Sequence, residues 1–437
     1  MSVLATMLTD DAQKTMSRPR LLCLAPQEPW PATDGGKEGI HGAVQSLAVY
    51  ADVLLACPAS TLHEEAVVHF AMSSIDYRVV CFEPVETLRV VLSSCIRLKP
   101  FKFHKYCTSE AEHLFDAAIG PFEPDAIVCF HAHMEELGQR LRKRRGWSAP
   151  IVVREHNIEY EMVESYLSSR PILQRIVGAP IAWLTRWAEI RMWSRADVIA
   201  FLTERDFKVG RTSGAQGHLI LAPEGVPLPS RRRARPPKDQ PRLLIPLNRK
   251  APQSIASLKI FMDVYWRPSA TLTEMESFEL VITGADPSQL AAVVQMTEAE
   301  QDALRVRATG FLPSLQPVFA SSMLLIAPTF VGSGIRKKVL EGMANQIPVM
   351  GTEMDLRACT YFKSGHNILQ LGLVDEFRQS VIRLRDDPTM WQALSDNGRD
   401  TVERNADWDL FANAIMQGLA VVDKKRFSAW SRNTSQS

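Results

Sequence analysis

Residues 332–352 read GSGIRKKVLEGMANQIPVMGT: two glycines, a basic turn, one carboxylate, then an apolar run ending on Thr352. Upstream, the apolar stretch from Met323 to Ala327 stops at Pro328, and its length and bounds predict a short strand buried on both faces. Gly332 and Gly334 let the chain turn tightly and bring backbone amides close to a ligand, and KKVLEGMA has the character of a helix start. A strand, a glycine loop and a helix N-terminus in that order favour an anion, because unpaired amides and the helix dipole both point at it. Arg336 and Lys338 add mobile positive charge. On a helix, Glu341 shares a face with Lys338 and can accept hydrogen bonds from a ribose. The bland alternative is a solvated basic turn. A P-loop is excluded, since it requires Gly-Lys-Ser/Thr after four intervening residues. The expected ligand is a phosphate or diphosphate with a sugar hydroxyl pair beside it.

The chain has 437 residues, too many for one ordinary core, so two domains of about 200 residues each are expected. Fifty basic and forty-nine acidic residues leave no global field that would attract nucleic acid or an anionic membrane. Any such attraction has to be local. The seven cysteines are scattered, mostly in apolar runs, and read as reduced core residues of a cytoplasmic protein. No Cys-x-x-Cys pair or His-Glu-x-x-His helix points to a metal. Residues 1–19 lack the apolar core of a signal peptide and are expected to be a disordered leader.

From residue 20 on, RLLCLAP, ADVLLACPA, YRVVCFEP, DAIVCFHAH, APIVVREHN and ADVIAFLT are short apolar runs separated by mostly helical stretches. That alternation predicts a parallel sheet covered by helices, over residues 20–229. PLPSRRRARPPKDQPR reads as a linker, placed at 230–241. The alternation restarts with RLLIPL, FELVITGA, RVRATGF, SMLLIAP and IPVMGT, giving a second α/β domain over 242–405, and residues 426–437 are expected to be a disordered tail. Ligands of such sheets bind beyond the carboxyl ends of the strands, and two such domains facing each other enclose a cleft.

PTFVGSGIRKKVLEGMANQIPVMGT resembles the donor-site motif of family four of the retaining glycosyltransferases. APQEPWPATDGG resembles the family's first loop, REHNIEYE its His-Asn-x-Glu stretch, APEGVPL its Pro-x-Gly-Val approach to the linker, ATGFLPSLQPVFASSMLLIAP its Gly-Phe/Tyr-x-x-x-Leu stretch, and NADWDLFA its Trp-containing segment before the last helix. The resemblance covers most of residues 20–420. It implies the GT-B fold, two facing Rossmann-like α/β domains with a cleft between them, the first on the acceptor side, the second holding the donor, and a crossover helix over 406–425.

Residue by residue, the resemblance assigns Glu341 to the donor ribose and Arg336 and Lys338 to the donor diphosphate. Gly332, Ser333 and Gly334 belong to the same donor loop; many relatives carry a sugar-binding glutamate where this chain has Ser333. Gly35 and Gly36 match the glycine pair of the first loop, where missing side chains admit the diphosphate or the acceptor. Arg249, with Lys250 second, matches a basic position that relatives place against the phosphates. His133 is the better match to a functional histidine of relatives, with His131 beside it and His156 in REHNIEYE on the acceptor side. Asp407-Trp408-Asp409 spells an Asp-x-Asp string, but it falls where relatives have the crossover helix, so no metal is assigned to it.

The function so implied is a retaining, metal-independent glycosyltransferase that moves a hexose-type sugar from a nucleotide diphosphate sugar to a glycan or lipid-linked acceptor. It needs no cofactor and no nucleic acid. A nucleotide-sugar epimerase of the same fold and a non-catalytic binding or scaffolding subunit are the alternatives. RLKPFKFHKY, residues 97–106, interleaves basic and aromatic side chains. With the stretch around Trp183 and Trp187, it is expected to make a peripheral contact with the inner face of the cytoplasmic membrane.

Overall fold

The computed structural model describes residues 18–32, 35–60, 63–82, 100–168, 171–229, 241–249, 251–312, 314–331 and 337–428. The expected leader up to residue 17, the linker residues 230–240, Lys250, the donor-loop residues Gly332, Ser333, Gly334 and Arg336, and the tail from 429 on lie outside them. The chain forms two compact units, Met1–Ala222 with Ala412–Ser437, and Pro223–Phe411.

The first unit is built on a seven-stranded sheet, β1 (Arg20–Leu24), β2 (Asp52–Ala59), β3 (Ile75–Cys81), β4 (Ala126–Phe130), β5 (Ile151–Glu155), β6 (Val198–Phe201) and β7 (His218–Leu221). All its pairings are parallel and the spatial order is β3-β2-β1-β4-β5-β6-β7. Helices α1 (Gly35–Tyr50), α2 (Glu64–Ala71), α3 (Ser109–Ile119), α4 (Glu135–Arg145), α5 (Glu159–Ser168), α6 (Ile172–Trp193) and α7 (Glu204–Thr212) connect the strands. Local signals set their ends. Thr108 and Thr203 cap α3 and α7 by accepting from the backbone amides three residues on, and Gly146 closes α4 in the left-handed conformation.

The second unit holds a six-stranded parallel sheet of β8 (Arg242–Pro246), β9 (Glu279–Thr283), β10 (Val306–Ala308), β11 (Leu324–Ala327), β12 (Val349–Gly351) and β13 (Leu369–Gln370), ordered β10-β9-β8-β11-β12-β13. Its main helices are α8 (Pro252–Phe261), α9 (Pro287–Val294), α10 (Lys337–Ala344), α11 (Val374–Asp386), α12 (Pro388–Asn405) and α13 (Trp408–Val422), whose C-terminal part belongs to the first unit. Period-two alternation sends Leu243, Ile245, Leu280, Ile282, Leu324 and Ile326 into one core and Leu244, Val281, Leu325 and Ala327 into another, as a sheet covered on both faces requires. Every strand named from the sequence is present. β7 and β13 were not anticipated: HLIL is exposed or half-buried, and Leu369–Gln370 is too short to make a pattern.

In both sheets the chain winds outward from a central strand and then crosses back to its other side. The reversal lies between β1 and β4 in the first sheet and between β8 and β11 in the second. Loops leaving the carboxyl ends of those strand pairs therefore diverge to opposite faces and leave a crevice, the place where this architecture binds ligands.

Three boundaries differ from expectation. Arg18 donates to the carbonyls of Ala48 and Ala51, and Pro19 accepts from the Asp52 amide, so the first unit begins before residue 20. Residues 223–229 cluster with the second unit: Val226 N donates to Ala406 O, Arg399 reaches Pro229 O, and Gly225 lies so close to Trp408 that a Cβ there would meet its backbone nitrogen at 2.5 Å. The tail starts later than 426, because Phe427 is buried and Arg426 bonds Ser148 Oγ at 2.7 Å.

Candidate active site

At the reversal of the second sheet, β8 ends in a turn that leaves Asn248 and Arg249 exposed. From β11 the chain runs through Thr329–Val331 to the glycine loop, and α10 begins at Lys337. Lys338 Nζ donates to Pro246 O at 3.3 Å, so the first turn of α10 is tied to the end of β8, three residues from Arg249. Its neighbour Lys337 is turned elsewhere, 4.0 Å from the buried carboxylate of Glu224. Glu341 follows Lys338 by nearly one turn and is half-buried, its carbonyl capped by both nitrogens of Asn345. The Lys338–Pro246 contact thus ties the start of α10, which carries Glu341 in its next turn, to the strand end that Asn248 and Arg249 follow.

The floor of this crevice is braced. Gly284 has φ +86°, and a Cβ there would stand 2.2 Å from Leu247 O, so only glycine lets the β9 turn press on the end of β8. Thr352 Oγ1 donates to Thr329 O at 2.6 Å and its amide donates to Asp355, linking β12 to the loop after β11. Phe330 N donates to Ser257 Oγ on α8. The Asp286 carboxyl, which caps α9, is held below the usual carboxylate range by the Gln289 amide and the Ser288 hydroxyl, with a contribution from the Arg249 charge. Gly284, Thr352 and Ser257 were not singled out from the sequence as site residues; the glycine in VITGA, directly after a buried strand, was the available signal.

At the reversal of the first sheet, β4 ends at Phe130, before the two histidines that its sequence run contains. His131 takes φ +75° and turns the chain into a single 3-10 turn over Ala132–Met134. The rings then form a row. His131 lies 5.3 Å from His133, nearly parallel, and 5.0 Å from His156, which stands after β5. His133 is buried, stacked on Tyr106 at 5.1 Å, while His131 and His156 are half-buried. On the β1 side, Gly35 opens α1 in open space, with Gly36 next in the helix, and Trp30 stacks on His69, whose Nε2 is 2.8 Å from that of His41.

This arrangement corrects the reading of residues 97–106 as a membrane-facing loop. Residues 97–99 lie outside the described residues, and Phe103, His104 and Tyr106 are buried, the aromatic rings covering His133. They face the core, so they cannot insert into a lipid surface.

REHNIEYE holds a feature its resemblance did not reveal. Glu155 ends β5 fully buried, facing Glu189 of α6 and the Trp193 indole, and burial pushes its carboxyl far above the usual range. Burial likewise raises Glu189, to about 7, although its oxygens accept from the Glu159 and Tyr160 amides at the start of α5. Burial thus favours the protonated form of both acids, and Glu189 fastens the α5 N-terminus beside His156.

Asp407 Oδ1 accepts from the Asp409 amide at the start of α13, a capping arrangement. Among the described residues no group of three or more His, Cys, Asp or Glu is placed to hold a metal ion.

Two parallel α/β units with these sheet orders define the GT-B class of glycosyltransferase folds. Residues 258–387, which lie within the second unit, match the family of glycosyl transferases group 1. Similar solved structures include sucrose-phosphate synthase from Thermosynechococcus elongatus, 16% identical with a TM-score of 0.63, over 94% of this chain and 100% of that one. Anabaena HepE in complex with UDP is 12% identical with a TM-score of 0.60, over 92% and 100%. The lipopolysaccharide outer core galactosyltransferase WaaB is 16% identical with a TM-score of 0.56, over 91% and 99%. No curated protein matches the sequence.

Proposed function

We propose that this protein is a retaining, metal-independent glycosyltransferase that moves a sugar from a nucleotide diphosphate sugar to a glycan or lipid-linked acceptor. The observation that supports the reading is the Lys338 contact with Pro246, which ties the start of α10, with Glu341 on the same helix, to the end of β8 three residues before Arg249. Breaking the anomeric carbon–oxygen bond leaves negative charge on the diphosphate. Arg249, Lys338, Arg336 and the loop amides are the groups available to stabilise it. Glu341 accepts from the ribose. The acceptor oxygen bonds the anomeric carbon on the face the phosphate leaves, and the acceptor proton passes to that phosphate, as the family resemblance implies. Complexes of HepE with UDP and with UDP-glucose support a uridine nucleotide as the first donor to try.

The histidine row at the other reversal is assigned to the acceptor, with His133 as a positioning residue beneath His131. Incubation with a panel of nucleotide sugars, with and without candidate glycan acceptors, tests the reading through nucleoside diphosphate release and the anomeric configuration of the product. Transfer with retained configuration, unaffected by EDTA, is the expected result. Isomerised donor without transfer would make the protein an epimerase, and no turnover with any donor would favour a binding subunit.

A further inference from the structure

We infer that the outward face of α6 is a docking surface for an anionic lipid bilayer, on which the helix lies flat. The inference goes beyond the transferase reading and does not depend on it, because lipid binding is measured without turnover.

Helix α6 has 22 residues and a length of about 33 Å. One side, with Ala182, Thr185, Glu189 and Met192, packs inward. The opposite side carries Ile172, Ile176, Pro180, Trp183 and Trp187, at spacings of four, four, three and four, all exposed. Trp183 is 67% exposed and Ile172 68%, so these side chains form one contiguous apolar face open to solvent, the kind of patch that marks an interaction surface.

The charges on this helix have one sign where they meet solvent. Arg175, Arg186 and Arg191 are exposed, whereas the helix's one carboxylate, Glu189, is buried and occupied with the start of α5. The Arg191 guanidinium lies 5.2 Å over the Trp187 ring. Between α5 and α6 runs an open groove of about 510 Å³, with Leu167, Ile172, Ile176 and Trp183 as apolar walls, Arg175 and Arg186 beside them, and Glu164 of α5 also on its lining.

Charge complementarity selects the occupant. A second copy of the same face would oppose three arginines to three arginines, which disfavours a two-fold dimer. An anionic bilayer instead offers phosphates to the guanidiniums, an interface in which indole rings are favoured, and acyl chains for the isoleucines. Among the described residues no helix is long and apolar enough to cross a membrane, so α6 lies on the surface.

The test is co-sedimentation of the full chain with phosphatidylglycerol-containing and with pure phosphatidylcholine vesicles. The wild type is expected to pellet with the first and to remain in solution with the second. Arg175→Ala/Arg186→Ala should lower the partition coefficient about 25-fold, and Trp183→Ala/Trp187→Ala about tenfold or more. These are exposed positions, and circular dichroism melts identify any variant that fails to fold. Conservative Arg175→Lys/Arg186→Lys keeps the charge and should restore most of the binding. A wild type that stays in solution with anionic vesicles overturns the inference. So does equal binding to both vesicle types, or a lipid-free dimer that the tryptophan variant converts to monomer.

Discussion

In the first sheet the chain leaves β1 and β4 into loops furnished with Trp30, His131 and His133; in the second it leaves β8 and β11 into loops furnished with Arg249 and, past the glycines, Lys338 and Glu341. The two reversals are topologically equivalent, each a parallel sheet winding outward from a central strand and crossing back. Their chemistry differs because nothing in the sheet dictates it: the strands are apolar in both units, and only the residues just past the carboxyl ends vary freely without cost to the core. The first reversal gathers three histidine rings with Trp30 on its β1 side; the second gathers Arg249 at the end of β8 and Lys338 and Glu341 on α10. On the proposed reading, equivalent frames serve two halves of one reaction, the first taking a polyhydroxyl acceptor and the second a diphosphate.

The largest effect that sharpens this comparison belongs to the cationic crevice. Lys338→Ala and Arg249→Ala should each lower turnover by ~100-fold or more, the scale of losing one preorganised group at a developing charge. Steady-state kinetics with near-normal rates in both variants would erase the distinction between the two reversals. Next is Glu341→Ala, expected to weaken binding of the nucleotide product by roughly 1.5–3 kcal/mol. Unchanged affinity in calorimetry would reduce Glu341 to a helix-surface residue.

Gly284→Ala tests the brace beneath that crevice. The added methyl meets Leu247 O in a backbone conformation that alanine avoids, so a loss of about 1–3 kcal/mol in stability is expected. A melt superimposable on the wild type would show that the turn has room to relax.

The smallest effect concerns the acid pair beneath the histidine crevice. Glu155 and Glu189 have folded-state carboxyls raised above their ordinary value of 4.5, Glu189 to about 7. The folded state therefore holds protons that the unfolded chain has released. That contribution is fully present below about 4.5 and is lost as pH rises through about 7. The first unit should melt at lower temperature at pH 8 than at pH 6, and Glu155→Gln, which keeps a donor to Glu189 without a charge, should flatten the dependence. An unaltered pH slope in that variant would show that Glu155 is not a source of the dependence.

Much of this frame was open to reading in the sequence, because a parallel strand buried on both faces is nearly continuous apolar sequence bounded by turn residues. RLLCLAP and SMLLIAP could be taken for little else. The proposed donor-side residues come from the sequence alone, where glycines, basic residues and a glutamate follow a strand at close spacing. The bracing was not legible there. Gly284 against Leu247, Thr352 against Thr329 and Glu155 against Glu189 are contacts between segments far apart in sequence, and no periodicity records them. Residues 97–106 misled for a related reason: a basic-aromatic run looks like surface, but Phe103 and Tyr106 had a ring at His133 to cover. Aromatic residues report only that a partner exists, whether core or solvent interface.

The most direct test of the division of labour is calorimetric titration of a nucleoside diphosphate into the wild type, Lys338→Ala and His131→Ala, alongside transfer rates for the same three proteins. Binding should be weakened in Lys338→Ala and unchanged in His131→Ala, while transfer to the acceptor falls in both. Nucleotide affinity that drops equally when His131 is removed, or that survives intact without Lys338, would contradict the assignment of the donor to the second sheet's reversal.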